Sequence, residues 1–247
     1  MRLAVRYAPL LIVIAAWEAV TRLGVVPASQ LPSFTAVMQS LIGLIRDGDL
    51  WASIAASIPR SLLGFVAAVV IGTMLGGGMA LSRGFRTVVD PLVQIFYPLP
   101  KSALIPLLLV WFGLGDMSKV VLVFLGCLLP VILSTYNGIG GVDRVAVWAA
   151  RSMGASRAAI LFEVLLPAAS PTILTGIRTA IAFMFLLMVS SELVIATNGM
   201  GYLIGSLGDA GSYPAMFAVI LTVTAIGFAA DRGFLMLSGY LLRWREP

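Results

Sequence analysis

The chain has 247 residues, of which 60% are hydrophobic and 11% charged, and its formal net charge is +5. A soluble domain carries roughly 25% charged residues, so this composition, with a mean hydropathy of +1.04, excludes water as the main solvent. With no histidine and a single cysteine, the chain is also excluded from histidine general-base chemistry, histidine-ligated metals and intrachain disulfides.

Cys127 sits in an apolar run and reads as a small buried hydrophobe. The basic excess reads as the lysine and arginine that collect in cytoplasmic loops of membrane proteins, not as a nucleic-acid surface. A crossing helix needs about 20 apolar residues. On that criterion about six spans are expected, near 7–23, 59–81, 91–113, 118–137, 171–196 and 214–231.

Arg2 and Arg6 precede an apolar stretch from Tyr7 to Trp17 that Glu18 interrupts. It resembles a secretory signal but offers no convincing cleavage site, so it reads as an uncleaved first span. A longer polar segment, Val25 to Ser57, follows. In the second span Gly72, Gly76 and Ala80 recur at every fourth residue, which predicts close helix packing within the chain or at a subunit interface. Gly76-Gly77-Gly78 has no lysine-serine pair after it and is not a phosphate-binding loop.

The third span holds Pro91, Pro98, Pro100 and Pro106. Each proline removes a backbone donor, which a membrane segment tolerates only where neighbours or a wet cavity satisfy the freed carbonyls. A broken, pathway-lining segment is expected. Within it Lys101 either attends an anion pathway or snorkels to an interface.

Residues 141–170 interrupt the lipid-like pattern. Asp143 is expected to cap a helix over 144–153, and Gly154 to end it in a left-handed conformation. Ser156 is expected to cap a second helix ending before Pro167, and Ser170 with Pro171 to open the fifth span. The pieces are too short to cross a bilayer. Ala149, Ala150 and Gly154 allow close approach of another protein, and Arg151 and Arg157 offer ion pairs; the alternative is an amphipathic helix resting on headgroups.

Glu192 lies roughly 30 Å along the fifth span, near its far boundary. It reads as a structural carboxylate paired to Lys119 or to a backbone amide in the turn Asn198–Gly201, as part of a gate, or as a substrate contact. Ser190 and Ser191 either line a polar cavity or bond back to helix carbonyls. Met184, Phe185 and Met188 read first as packing, and Asn137, Asp231 and Arg232 as boundary residues. Pro98, Pro100, Lys101, Met188, Ser191 and Glu192 are the pathway or gate candidates.

With the N-terminus inside, ten basic residues near span ends (Arg2, Arg6, Arg83, Arg86, Arg144, Arg151, Arg157, Arg232, Arg243, Arg245) face the cytoplasm and four (Arg22, Arg46, Arg60, Lys119) face outward. Both termini are therefore expected to be cytoplasmic.

The pattern Ala149-Ala150, three residues, Gly154, nine residues, Val164-x-Leu166-Pro167 resembles the cytoplasmic signature loop of permease subunits of type I ATP-binding cassette importers. The stretches "PLVQIFYPLPKSALIPLLLVWFGLGDMSKVVLVFLG" (91–126) and "SSELVIATNGMGYLI" (190–204) resemble the branch that imports nitrate, taurine and alkanesulfonates. One departure is Trp148, where that loop usually carries glutamate; an aromatic anchor can stand in for the ion pair.

The resemblance implies an all-α membrane protein, a single permease domain over 1–247, with the loop as a coupling helix docked on an ATPase. Trp148, Ala149, Ala150, Arg151, Gly154, Ala155, Arg157, Leu166 and Pro167 would form that contact. It implies two copies of an ATP-binding cassette ATPase holding ATP and Mg, with no catalytic site, cofactor or metal in this chain. It further implies a second permease copy forming a homodimer, a periplasmic or lipid-anchored substrate-binding protein, and a place in the bacterial inner membrane lipid bilayer. The expected cargo is a small anionic solute. The rival reading, a self-contained secondary transporter or channel, would place paired ionisable groups at mid-membrane, and none is evident. A membrane-embedded assembly or sensor subunit is a third class.

Overall fold

The computed structural model describes residues 2–27 and 29–244. Arg245, one of the ten residues counted as cytoplasmic, lies outside them, as do the side chains of Arg2 and Arg6. The helices in chain order are α1 (Arg2–Arg22), α2 (Phe34–Asp47), α3 (Asp49–Leu81), α4 (Arg83–Phe96), a 3-10 turn (Lys101–Leu104), α5 (Ile105–Phe112) and α6 (Asp116–Gly140). They continue with α7 (Arg144–Ser152), α8 (Arg157–Ala159), a π-helical stretch (Ile160–Leu165), α9 (Leu166–Ile195), α10 (Met200–Asp209) and α11 (Tyr213–Leu241).

Among the described residues four helices are long and apolar enough to cross a membrane: Asp49–Leu81, Asp116–Gly140, Arg157–Val194 and Tyr213–Leu241. The pair Arg83–Phe96 and Lys101–Phe112, bent by 91°, makes a fifth if it counts as one span. Four or five therefore stand where about six are expected, and the segment expected to cross first lies on α1. The chain forms two compact units, Met1–Ile58 with Glu192–Ile226, and Pro59–Ser191 with Gly227–Pro247.

In the second unit α6 is the strut. Lipid tails are as apolar as leucine, so helices in a membrane associate by close packing of small residues. On α3, Gly64, Ala68, Gly72, Gly76 and Ala80 repeat every fourth residue. A Cβ built on Gly64 would lie 2.5 Å from the Val120 carbonyl oxygen, and one on Gly72 would lie 2.9 Å from Val131 Cβ. One on Gly76 would collide with the Ile132 carbonyl and sit 2.8 Å from Thr135 Cβ. The stripe thus serves packing within the chain.

A second face of α6 meets α9 in the same way. A Cβ on Gly138 would lie 3.1 Å from the Ala169 carbonyl, one on Gly176 would collide with Ser134, and one on Gly126 would collide with Leu187. Arg60, nearly buried, donates to Asp116 at 2.8 Å and ties α3 to the start of α6.

The third span is broken, as its prolines predict. The carbonyls freed at the break are taken by Lys101, whose Nζ donates to Phe96 O at 2.5 Å and to Leu99 O at 2.7 Å. A cation at the C-terminal end of α4 also suits the helix dipole.

At the elbow the Asp143 carboxylate accepts from Val145 N at 2.9 Å and caps α7. The helix ends in a Schellman turn: Ala155 N donates to Ala150 O and Gly154 N to Arg151 O, with Gly154 at φ +82. Ser156 then caps the next helix, accepting from Ala159 N at 3.1 Å.

That second helix does not end before Pro167, and Ser170 with Pro171 does not open a new one. The rod is unbroken from Arg157 to Val194, 38 residues. A proline ring crowds the preceding turn and removes one donor. Here the wide π turn, in which Leu166 N reaches back to Leu161 O, immediately precedes Pro167. Ser170 Oγ donates to Pro167 O at 2.7 Å, occupying the carbonyl that Pro171 leaves without a donor.

In the first unit, Trp17 Nε1 donates to Pro32 O at 2.9 Å, and its ring meets Phe34 edge-on with centroids 5.6 Å apart. Glu18, which interrupts the first apolar run, accepts from Thr35 N and Thr35 Oγ1 at the start of α2 and pairs with Arg22. Gly48, at φ +87, ends α2.

Adding one methyl at Gly76 should destabilise the chain by roughly 1–3 kcal/mol through overpacking. Gly77→Ala, whose new Cβ would meet only Ile139 Cδ1 at 3.8 Å, should be neutral or stabilising. Thermal unfolding of Gly76→Ala and Gly77→Ala in the same detergent compares them; equal melting temperatures would contradict the packing role.

Candidate functional site

The second unit forms a partly open cavity of about 910 Å³ between the break in the third span, α6 and α9. Its α9 wall carries Thr172, Thr175, Thr179, Phe183, Leu186 and Ser190, a stripe at helical spacing. Lys101, Ser102 and Pro100 come from the break, and Leu129, Leu133, Ser134 and Asn137 from α6. Gly126 lacks the side chain that would fill the space between Leu187 and the Lys101 stem. A smaller apolar cavity of about 210 Å³, bounded by Leu75, Val89, Leu92, Val93 and Phe96 among others, shares Lys101 and Leu129 with the larger one.

Of the expected pathway residues, Pro100 and Lys101 line the larger cavity, and Pro98 stands in the break but not on this wall. Met188 and Ser191 are buried in packing, with Ser191 Oγ donating to Met188 O. Ser190 both lines the cavity and bonds back to Leu186 O at 2.8 Å. Asn137, read as a boundary residue, is on the wall. The threonine stripe of α9 was the readable signal for this wall: Thr172, Thr175 and Thr179 fall on one face of an otherwise apolar helix.

Glu192 belongs to the first unit and is 1% exposed. Its Oε2 accepts from Gly201 N at 2.8 Å and from Ser57 Oγ at 2.8 Å, while Ser57 Oγ accepts from Met200 N at 2.8 Å. The N-terminal amides of a helix have no acceptor within it. Gly199, before α10, provides no side chain to cap it, so Ser57 and Glu192 take that role from α3 and α9. This is the backbone-amide pairing expected for Glu192, and Ser57 is the partner that sequence reading missed.

On the elbow, Trp148 is 60% exposed and Met153 81%, with Val145 and Phe162 also exposed. Ala149, Arg151, Gly154 and Arg157 are exposed and Ala155 half-buried, whereas Ala150 faces inward. Leu166 packs against a cluster of Ile139, Ala169 and Ile173. Pro167 lies half-buried inside the rod. The docking residues expected from the loop therefore divide into an exposed tip and an inward base.

Residues 64–238 match the model of the family described as binding-protein-dependent transport system inner membrane component. The chain belongs to this family. It is an ATP-binding cassette importer permease, all-helical and membrane-embedded. It is 34% identical over 240 residues to the taurine transport system permease protein TauC of Escherichia coli, covering 95% of this chain and 87% of the relative. To the putative aliphatic sulfonates transport permease protein SsuC of Bacillus subtilis it is 34% identical over 235 residues, covering 95% and 85%. The bicarbonate transport system permease protein CmpB of Synechococcus elongatus is 28% identical over 202 residues, covering 81% and 72%.

The permease shares its fold with solved ABC transporters. An inward-facing structure of the MetNI methionine ABC transporter matches with a TM-score of 0.61 at 21% identity, covering 80% of this chain and 95% of that one. A crystal structure of an amino acid ABC transporter with histidines matches at 0.64 and 18% identity, covering 83% and 98%.

Removing the Glu192 carboxylate leaves the buried Gly201 amide without its acceptor, which costs roughly 1–3 kcal/mol. Glu192→Ala should therefore lower the melting temperature of the purified permease, whereas Thr175→Ala, on the cavity wall, should leave it in place. A Glu192→Ala melting curve superimposable on the parent would refute the capping role.

Proposed function

We propose that this permease imports a small anionic solute and receives its driving force at the elbow from a separate ATPase. Two ATPase copies would bind ATP and Mg and carry out all hydrolysis. A second copy of this chain would complete the pathway as a homodimer, and a periplasmic or lipid-anchored binding protein would deliver the solute. The whole chain would act as one permease domain of a bacterial inner membrane, with both termini and the elbow in the cytoplasm. The names of the relatives, which cite taurine, aliphatic sulfonates and bicarbonate, support a cargo with an anionic head group.

The observation that carries this reading is the continuity of the rod Arg157–Val194. Its first turns form the second arm of the elbow, and further along it presents Thr172, Thr175, Thr179 and Ser190 to the cavity. A push on the exposed tip at Trp148, Arg151 and Arg157 would move the cavity wall as one body, because two caps and a Schellman turn hold the tip in shape. Small displacements become transitions where packed elements have two discrete arrangements.

The test is reconstitution of the permease with its ATPase and binding protein in liposomes. A Cβ at Gly154 meets nothing within 4 Å, yet φ there is +82. Gly154→Val would therefore strain the turn through its backbone conformation. The left-handed conformation costs an L-residue about 1–2 kcal/mol, so ATP-driven uptake and stimulated hydrolysis should fall by about tenfold, with the membrane portion intact by its melting temperature. Uptake at the parental rate in this variant would remove the elbow from the mechanism.

A further inference from the structure

The smaller cavity, of about 210 Å³, is a groove between α3, α4 and α6. Apart from Lys101, whose ammonium is turned to the carbonyls of the break, every side chain on it is Leu, Val, Ile or Phe. Such walls offer water no partners, and an apolar cavity stays dry. Leu92 and Phe96 line the groove and are also exposed. Its mouth therefore opens on the face of α4 that exposes Val88 and Ile95, a surface continuous with the bilayer around the permease.

At one end of the groove stands a cation. Arg86, one turn before Val89 on α4, lies 5.0 Å over the ring of Tyr136, one turn beyond Ile132 on α6; Val89 and Ile132 both line the groove. The ring holds the guanidinium in place and takes none of its five N–H donors. Among the described residues no carboxylate pairs with Arg86, since Asp90, one turn on, accepts from Gln94 at 3.1 Å instead. Arg83 and Arg86 follow closely on Leu81, the last residue of a crossing helix, which places them at a bilayer boundary. From Arg86 to Phe96 α4 runs about 15 Å, half of the roughly 30 Å hydrocarbon core.

We infer that this groove binds an anionic phospholipid of the bilayer, with one acyl tail along Val93, Leu128 and Leu125 and its phosphate on Arg86. The headgroup supplies the counter-charge to Arg86, and a guanidinium can hold a phosphate through two parallel N–H donors. A free phosphate would leave the apolar groove unfilled. The far end of the tail meets Leu129 and the Lys101 stem, which the groove shares with the larger cavity, so the lipid supports that cavity's wall from behind.

The experiment uses the full chain assembled with its ATPase in nanodiscs of phosphatidylcholine and phosphatidylglycerol in equal amounts. A trace of phosphatidylglycerol carrying a diazirine on one acyl tail is photolysed, and the labelled residues are mapped by mass spectrometry. Phosphatidylcholine with the same tail is run in parallel. Leu125 and Leu128, on the α6 side of the groove, report a tail inside it; Val66 and Val70, exposed on α3, report lipid that merely surrounds the protein. The ratio of groove to surface labelling should be about fivefold higher for phosphatidylglycerol, the factor expected for one basic residue at an anionic membrane surface. Arg86→Gln should bring the two headgroups to parity, and Arg86→Lys should keep most of the preference. Val89→Trp, which fills the groove, should remove labelling of Leu125 and Leu128 by both probes.

Equal ratios for the two probes in the parent chain, or a preference that survives Arg86→Gln, would overturn the phosphate site. Labelling confined to the rim residues Leu92 and Phe96 would overturn the groove as a tail site. A disulfide between two copies carrying Leu92→Cys, with Leu125 and Leu128 unlabelled, would give the groove to the second copy instead. The headgroup comparison is made on the parent chain, so it decides even where Val89→Trp fails to assemble.

Discussion

Backbone-to-backbone contact along α6 is the constraint on which the larger unit rests. Hydrophobic burial provides no net drive between helices once the surroundings are themselves hydrocarbon. What remains is the attraction of closely packed atoms, and this is short-ranged: a gap of 0.5–1 Å already forfeits about a quarter to a half of it. Gly64, Gly72 and Gly76 on α3, and Gly126, Gly138 and Gly176 at the α6–α9 contact, remove the side chains that would hold the axes apart. The Arg60–Asp116 pair fastens the end of the packed seam.

The same geometry creates the cavity. Where the third span breaks, a helix that would otherwise lie along α6 turns by 91°, and the space it vacates is bounded by α6 and α9. A break in lipid exposes carbonyls, and each unpaired one costs several kcal/mol. Lys101 answers this with a side chain from the break itself, so the group that makes the break tolerable also places a positive charge on the cavity wall.

Much of this was readable from residues alone. The caps at Asp143 and Ser156, the left-handed Gly154, the glycine stripe and the proline-broken span all rest on local rules, and local rules need only neighbouring residues. The failures were of two kinds. Pro167, Ser170 and Pro171 carry the signature of a helix end followed by a helix start, yet a π turn and one serine hydroxyl let a single rod run through them. Ser57, at the other extreme, gave no local sign of its role, because its partners Glu192 and Met200 lie 135 and 143 residues away. The threonines of α9 were overlooked because a threonine in a membrane helix bonds back to its own turn whether or not it also faces a cavity.

The cap on α10 has a consequence for biogenesis. Its first amides find their acceptors on a serine supplied early in the chain and a carboxylate supplied just before the helix itself. A nascent polypeptide that has emerged only as far as α9 holds Ser57 and Glu192 with no helix end to receive them. The Met200 amide at the start of α10 meets its acceptor only when α3 is already in place beside it. Closing a loop of that length is entropically modest, since each doubling adds only about 0.6 kcal/mol. The ordering it imposes is strict all the same: the segment carrying Ser57 must wait, correctly inserted, for a short helix that starts 143 residues later.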